Sequence, residues 1–105
     1  NKSELNVGYF TKHGDVGDML PLSNLVKKQV RDLARFLNIP EVIINKAPSA
    51  GLWAGQTDEN EMGLSYEELD CFILSGQASS KTARRILDLK QRSEHKRKPI
   101  PKPDF

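Results

Sequence analysis

The sequence predicts the mostly helical part of an α/β fold, on three observations. Val26, Val30, Leu33, Ala34 and Leu37 recur at i, i+4, i+7, i+8 and i+11, the spacing of one helical face. "LSYEELDCFIL" opens as a helix with a capping box, Ser65 and Glu68 being three residues apart. The third is a mismatch: such stripes expect a sheet, and "DMLPL" is the one short apolar run that offers a strand.

The elements follow in order. Residues 3–7 read as the end of a helix closed by Gly8. "YFTK" and the glycine/aspartate loop "HGDVGD" come next. "DMLPL", stopped by Pro21, is either the end of a buried strand or a helix turn; its length does not decide. Ser23 or Asn24 is expected to cap the helix that carries the Val26 stripe. Lys27, Arg31 and Arg35 form a basic row on that helix, and like charges four apart repel by a few tenths of about 1 kcal/mol. Such a row is tolerated as solvated surface or wanted by an anion. Asn38 suits the left-handed position that ends the helix, and Pro40 starts a short one, "PEVIINK".

"QTDENE" is expected to cap the next helix, its carboxylates favoured by the N-terminal dipole. Leu64 and Leu69 are placed for a hydrophobic staple around Ser65, and Gly76 ends that helix. Ser79 or Ser80 starts the last long helix, with Ala83, Ile86 and Leu87 as its apolar face. Three prolines in "PIPKP" keep the end of the chain, residues 99–105, extended.

Composition bounds the function. A chain of 105 residues is at most one small domain. The net charge of +2 is unevenly spread: residues 1–80 carry 7 basic and 11 acidic side chains, and residues 81–105 carry 9 and 3. That asymmetry reads as an anionic partner near the C-terminal end, or as a solvated basic helix. Cys71, the single cysteine, lies in an apolar helical run; it reads as a buried small hydrophobe in a reducing compartment. The apolar runs are too short to span a membrane, and no signal peptide is visible. The opening "NKSELNVG", without Met, reads as the start of a fragment.

The chemistry-bearing residues are modest taken one by one. Glu4, Asp15 and Asp18 are carboxylates near a flexible turn, and Lys12, Lys27, His95 and Lys96 are cations. Carboxylates and lysines beside loose glycine loops suit magnesium and phosphates, because Mg²⁺ is held by one or two carboxylates with phosphate oxygens and water.

Together the strings "GYFTKHGD", "DMLPLSNLVKKQVRDLARFLNIP", "NKAPSAGLWAGQTDENEMGLSYEELD" and "SEHKR" resemble, in this order, the C-terminal half of the ammonia-dependent NAD synthetases of bacteria and archaea. The likeness covers essentially all 105 residues. It implies the C-terminal part of a Rossmann-like fold of the adenine-nucleotide-hydrolase (N-type ATP pyrophosphatase) kind. It further implies a cytoplasmic homodimer that amidates deamido-NAD to NAD with ATP, Mg²⁺ and ammonia through an acyl-adenylate, releasing pyrophosphate and AMP.

By the same resemblance Glu4 matches a magnesium-holding glutamate, and Asp15 a second metal contact. Lys27 and Ser49 match residues at the ATP phosphates. Lys12, Asp18, His95 and Lys96 match positions that contact deamido-NAD. Residues 48–61 resemble a mobile loop that closes over ATP and pyrophosphate. Trp53 in it is then a hydrophobic latch, the alternative being a core-packed Trp that pins an ordinary loop. His13 is read as structural.

The chain departs from the family in two places. "GDVGDMLPL" is one residue short, which bears on where Asp18 lies. The N-terminal half of the domain, with its "SGG" pyrophosphate loop, is missing, so residues 1–105 alone are expected to be inactive. The rival enzyme reading is another ATP pyrophosphatase, of the GMP synthetase kind. The non-catalytic rival is a helical module that binds nucleic acid through the basic C-terminal helix and tail. It lacks an aromatic residue between Phe72 and Phe105 on which a base would stack.

Overall fold

Seven helices carry the described part of the chain. The computed structural model describes residues 1–14 and 17–105. The helices are α1 (Lys2–Val7), α2 (Lys27–Phe36), α3 (Glu41–Ile44), α4 (Asp58–Met62), α5 (Tyr66–Ser75), α6 (Ser80–Arg92) and α7 (Glu94–Arg97). No strand occurs among the described residues. α1 packs on α5 and α6, and α2 packs on α5 and α3.

The core forms where α1, α5 and α6 meet. Val7, Met62, Leu64, Tyr66, Leu69 and Ile86 are buried together, with Tyr9, Phe72, Ile73 and Leu89 against them. Burying a Leu or Ile side chain contributes about 1.5–3 kcal/mol. Leu64 and Leu69 both lie in this core, on either side of the Ser65 cap, as the staple requires.

Several helix ends follow their local chemistry. The Ser65 hydroxyl accepts from the Glu68 N–H at 3.1 Å, and the Glu68 carboxylate accepts from the Ser65 N–H at 2.9 Å. Thr57 caps α4 and Ser79 caps α6. Gly76 and Asn38 take left-handed conformations at φ 73° and 57°. Gly8 does so at φ 73°, and a Cβ there would lie 2.0 Å from the Cβ of Ser93. Only glycine lets the end of α1 approach the α6–α7 junction this closely.

One open alternative is decided and three expectations are corrected. "DMLPL" is not a strand: the Leu20 carbonyl accepts from the Ser23 N–H and the Leu22 carbonyl from the Leu25 N–H, both at 3.1 Å, giving consecutive turns. Neither Ser23 nor Asn24 caps α2, which begins after Val26 with tertiary partners on its amides. Cys71 is exposed on α5, its sulfur 3.6 Å from the Ser75 hydroxyl. On α6, Ile86 is buried but Leu87 is exposed, so the apolar face is narrower than its spacing implied.

The Val26 stripe divides along its length. Val26 is fully buried, whereas Leu33 and Leu37 are exposed. Phe36, Val42 and Ile43 extend this open face across α2 and α3; Phe36 is 81% and Val42 79% exposed. Large apolar side chains exposed on two helices that pack together mark a surface to be covered.

Candidate functional site

The site is organised by a buried polar node. Ser3, fully buried on α1, accepts the Lys27 N–H at 2.9 Å and donates its hydroxyl to Asp70 of α5. The other Asp70 oxygen accepts the Lys28 N–H at 2.7 Å. The N-terminus of α2 is thus satisfied by a buried carboxylate, the charge a helix N-terminus favours. The Val26 N–H goes to the Gln29 side chain at 3.0 Å. Since Ser3 precedes Glu4, the node fixes Glu4 and Lys27 relative to each other.

The result is an ion pair. Lys27 Nζ lies 3.2 Å from Glu4 Oε1. Burial raises the Glu4 pKa, and the Lys27 charge and hydrogen bond lower it. Lys27 Nζ also sits 4.9 Å from the centroid of the Tyr66 ring. Attraction to the ring face helps hold the ammonium in place.

Lys27 lines an open groove of about 330 Å³ between α2, α3 and the following segment. Arg31, Lys46 and Ser49 line it too, over an apolar floor that includes Val30, Ala34 and Ile43. The basic row noted in the sequence therefore splits. Lys27 and Arg31 face the groove, whereas Arg35 pairs with Asp32 and Glu41 at 3.4 Å each. The Ser49 hydroxyl accepts the Gly51 N–H at 3.0 Å, a local turn at the start of the loop. The Asp58 N–H donates to the Pro48 carbonyl at 2.9 Å and closes that loop at its base. Trp53 within the loop is 58% exposed rather than packed on the core.

A second group assembles around α7. Lys12 Nζ donates to the His95 carbonyl. Lys96 Nζ donates to the carbonyls of Gly8 and Phe10, both at 2.7 Å, and lies 5.6 Å from the Phe10 ring centroid. His95 and Lys96 line a cleft of about 250 Å³ with Tyr9, Glu61 and Arg92. The Tyr9 hydroxyl donates to Glu61, which also accepts from the Gln56 amide at 2.9 Å. Burial raises the Tyr9 phenol, as does the Glu61 hydrogen bond. The Tyr9 hydroxyl and then the Gln56 amide lower the Glu61 carboxyl.

The structure thus brings Glu4, Lys27 and Ser49 to one region and Lys12, His95 and Lys96 to another. Asp18 is exposed, and no hydrogen bond or ion pair joins it to the other candidates among the described residues. Asp15 lies outside the described residues. A larger depression, about 820 Å³ at the start of α6, contains none of the candidates. Chemistry rather than size therefore picks out the Lys27 groove.

The basic residues near the C-terminus largely meet acids or carbonyls. Arg92 pairs with Asp88 at 3.1 Å and Lys98 with Glu94 at 3.1 Å. Arg85 donates to the Met62 carbonyl at 2.8 Å, and Arg97 to the Leu5 carbonyl at 3.1 Å. No group of three or more metal-ligating side chains occurs among the described residues. Glu4 nevertheless fits a hard cation as a single oxygen donor that stays ionised, with phosphate oxygens completing the shell.

Ser3, Asp70, Tyr66 and Asp58 were not among the sequence candidates. For Asp70 a signal existed. Tyr66, Leu69, Asp70 and Ile73 share one helical stripe, and an acid inside an apolar stripe marks a buried charge with partners.

Comparison with known proteins identifies the relatives of this chain. The NAD synthase family model matches residues 1–100. The NH(3)-dependent NAD(+) synthetase of Syntrophomonas wolfei is 55% identical over 102 residues, 96% of this chain and 41% of that protein. The protein of the same name from Archaeoglobus fulgidus is 52% identical over 106 residues, 96% of this chain and 43% of its own length. Among solved structures, the NMN synthetase from Francisella tularensis superposes with a TM-score of 0.91 at 52% identity, over 100% of this chain and 44% of that one. The chain spans about two fifths of the length of these relatives.

Proposed function

The chain belongs to the NAD synthase family, and from that premise we propose that it is the C-terminal portion of an ammonia-dependent NAD synthetase. The reaction is amidation of deamido-NAD. Its nicotinate carboxylate attacks the α-phosphorus of ATP and pyrophosphate leaves. Ammonia then attacks the acyl carbon, the bond to AMP breaks, and NAD is the product. The observation that carries the site assignment is the Lys27–Glu4 pair at 3.2 Å, at the head of a groove that Arg31, Lys46 and Ser49 also line.

In this reading Lys27 stabilises the charge that grows on the phosphates as pyrophosphate departs, an electrostatic role for a prepositioned group. Ser49 adds a hydroxyl from the loop. Glu4 would hold Mg²⁺, which when bound neutralises phosphate charge, and Asp15 is its proposed companion. Lys12, Asp18, His95 and Lys96 serve the deamido-NAD side. Lys96 does so indirectly, since its ammonium is held by the carbonyls of Gly8 and Phe10.

Of residues 48–61, those from Asp58 on belong to α4, and it is the loop before them that closes over the nucleotide and excludes water from the acyl-adenylate. The rest of the protein supplies the Rossmann-like sheet and the glycine-rich pyrophosphate loop, and its sheet covers the open face of α2 and α3. The enzyme works as a cytoplasmic homodimer. Among the described residues no helix is long and apolar enough to cross a membrane.

A second reading concerns the substrate. The Francisella tularensis neighbour is an NMN synthetase, so amidation of the mononucleotide to NMN is the alternative. Full-length protein given ATP, Mg²⁺, ammonia and either nicotinate nucleotide decides between them. NAD formation with much the higher kcat/KM supports the first reading, and preference for the mononucleotide replaces it. The basic charge near the C-terminus, which nucleic acid would need, is partly taken up by acids and carbonyls at Arg85, Arg92, Arg97 and Lys98.

A further inference from the structure

We infer that Tyr66 is a positioning residue that ties the base of the 48–58 loop to the Lys27 ammonium, its ring lying 4.9 Å from Nζ and its hydroxyl donating to Asp58 at 2.6 Å. The inference rests on the reading of Lys27 as the phosphate-site lysine. Asp58 is the residue at which the loop closes, because its N–H holds the Pro48 carbonyl at 2.9 Å. Pro48 precedes Ser49, which lines the groove with Lys27. An unbroken series of contacts therefore runs from the ammonium through the phenol and carboxylate to the loop's first residues.

The contacts are rigid. Tyr66 is 1% and Asp58 5% exposed. A hydrogen bond to an ionised acceptor is stronger than a neutral one, and low dielectric strengthens it further. Burial and then the Asp58 hydrogen bond push the phenol well above its ordinary pKa, so Tyr66 stays a neutral donor at any working pH. Asp58 cannot shift with the loop without moving or releasing the phenol. The side chain beneath Lys27 is thus the one that senses the loop's base.

A tyrosine that merely fills the core would be replaced by phenylalanine without functional loss. The test uses full-length protein in two measurements. In the first, chymotrypsin cleavage at the exposed Trp53 is followed with and without ATP–Mg²⁺. Wild type is protected by the nucleotide. Tyr66→Phe and Asp58→Asn bind ATP but lose most of that protection.

In the second, kcat for pyrophosphate release falls about tenfold in each variant, with the KM for ATP changed much less. The double variant is no worse than either single one, as for residues acting as a unit. Retained protection in Tyr66→Phe, no protection in wild type, or losses that multiply in the double variant would overturn the inference. Lys27→Ala is the separating control. Unchanged pyrophosphate release there would overturn the phosphate-site reading itself. A strong loss there beside a wild-type Tyr66→Phe would overturn only the coupling.

Discussion

Asp70 accepts the Lys28 N–H at 2.7 Å and so occupies the N-terminus of α2, a position that suits an anion. The phosphate-facing charge of this helix is therefore carried by the Lys27 side chain, and the amides are spent on holding α1, α2 and α5 together. Replacing Asp70 by Ala leaves the buried Ser3 hydroxyl without an acceptor and the Lys28 N–H without its carboxylate partner. The expected cost is about 3 kcal/mol, read as a fall in the denaturant midpoint of the full-length protein. A midpoint equal to wild type would show that the node is not structural.

Glu4 gives a pH dependence with a definite sign. The Lys27 charge and hydrogen bond draw its carboxyl below the ordinary value of 4.5. Its stabilising contribution is therefore fully present above about 4.5 and lost as pH falls through the lower, folded value. Wild type should lose more stability than Glu4→Gln on acidification below that point. The same variant should need more magnesium for turnover, because an amide lacks the charge a hard cation requires. Parallel acid titrations and an unaltered magnesium titration would leave Glu4 an ordinary surface acid.

His95 and Lys96 separate two effects that the sequence joined. His95 is exposed, so His95→Ala should raise the KM for deamido-NAD more than that for ATP while stability stays within about 0.5 kcal/mol. Lys96 clamps two carbonyls, so Lys96→Ala should also cost about 1–2 kcal/mol. Equal KM effects on both substrates in His95→Ala would remove it from the dinucleotide side.

The open face of α2 and α3 predicts how the chain behaves alone. Phe36 and Val42 are among its most exposed large apolar groups. Purified residues 1–105 should self-associate on gel filtration, and Phe36→Glu with Val42→Glu should shift the elution toward monomer. A wild-type chain that already elutes as a monomer would contradict the claim that this face expects a covering element.

The helices were legible in the sequence wherever the signal was local. Ser65 with Glu68, Ser79, Thr57, Gly8, Asn38 and Gly76 each act within a few residues of the end they define. The start of α2 was not legible, because its amides go to Ser3 and Asp70, distant in sequence. "DMLPL" is ambiguous by length, and turns at Leu20 and Leu22 form instead of a ladder. Cys71 misled because it borders apolar residues while sitting on the outer side of α5.

Glu4, Lys12, Lys27, His95 and Lys96 stood out in the sequence only as a carboxylate and cations near glycine loops, and their proposed roles, with Ser49, rest on the resemblance. Their pairing, Lys27 against Glu4 and Lys12 against the His95 carbonyl, required three-dimensional placement.

The most direct measurement is pyrophosphate release from ATP and deamido-NAD by the full-length protein, wild type against Lys27→Ala. The lysine stands at 3.2 Å from Glu4 and at the head of the groove. Losing such a preorganised group typically lowers the rate by about 10²–10³, or roughly 3–4 kcal/mol. Lys27→Arg should also fail substantially, since a planar fork does not sit where an ammonium did. A rate for Lys27→Ala equal to that of wild type would contradict the account.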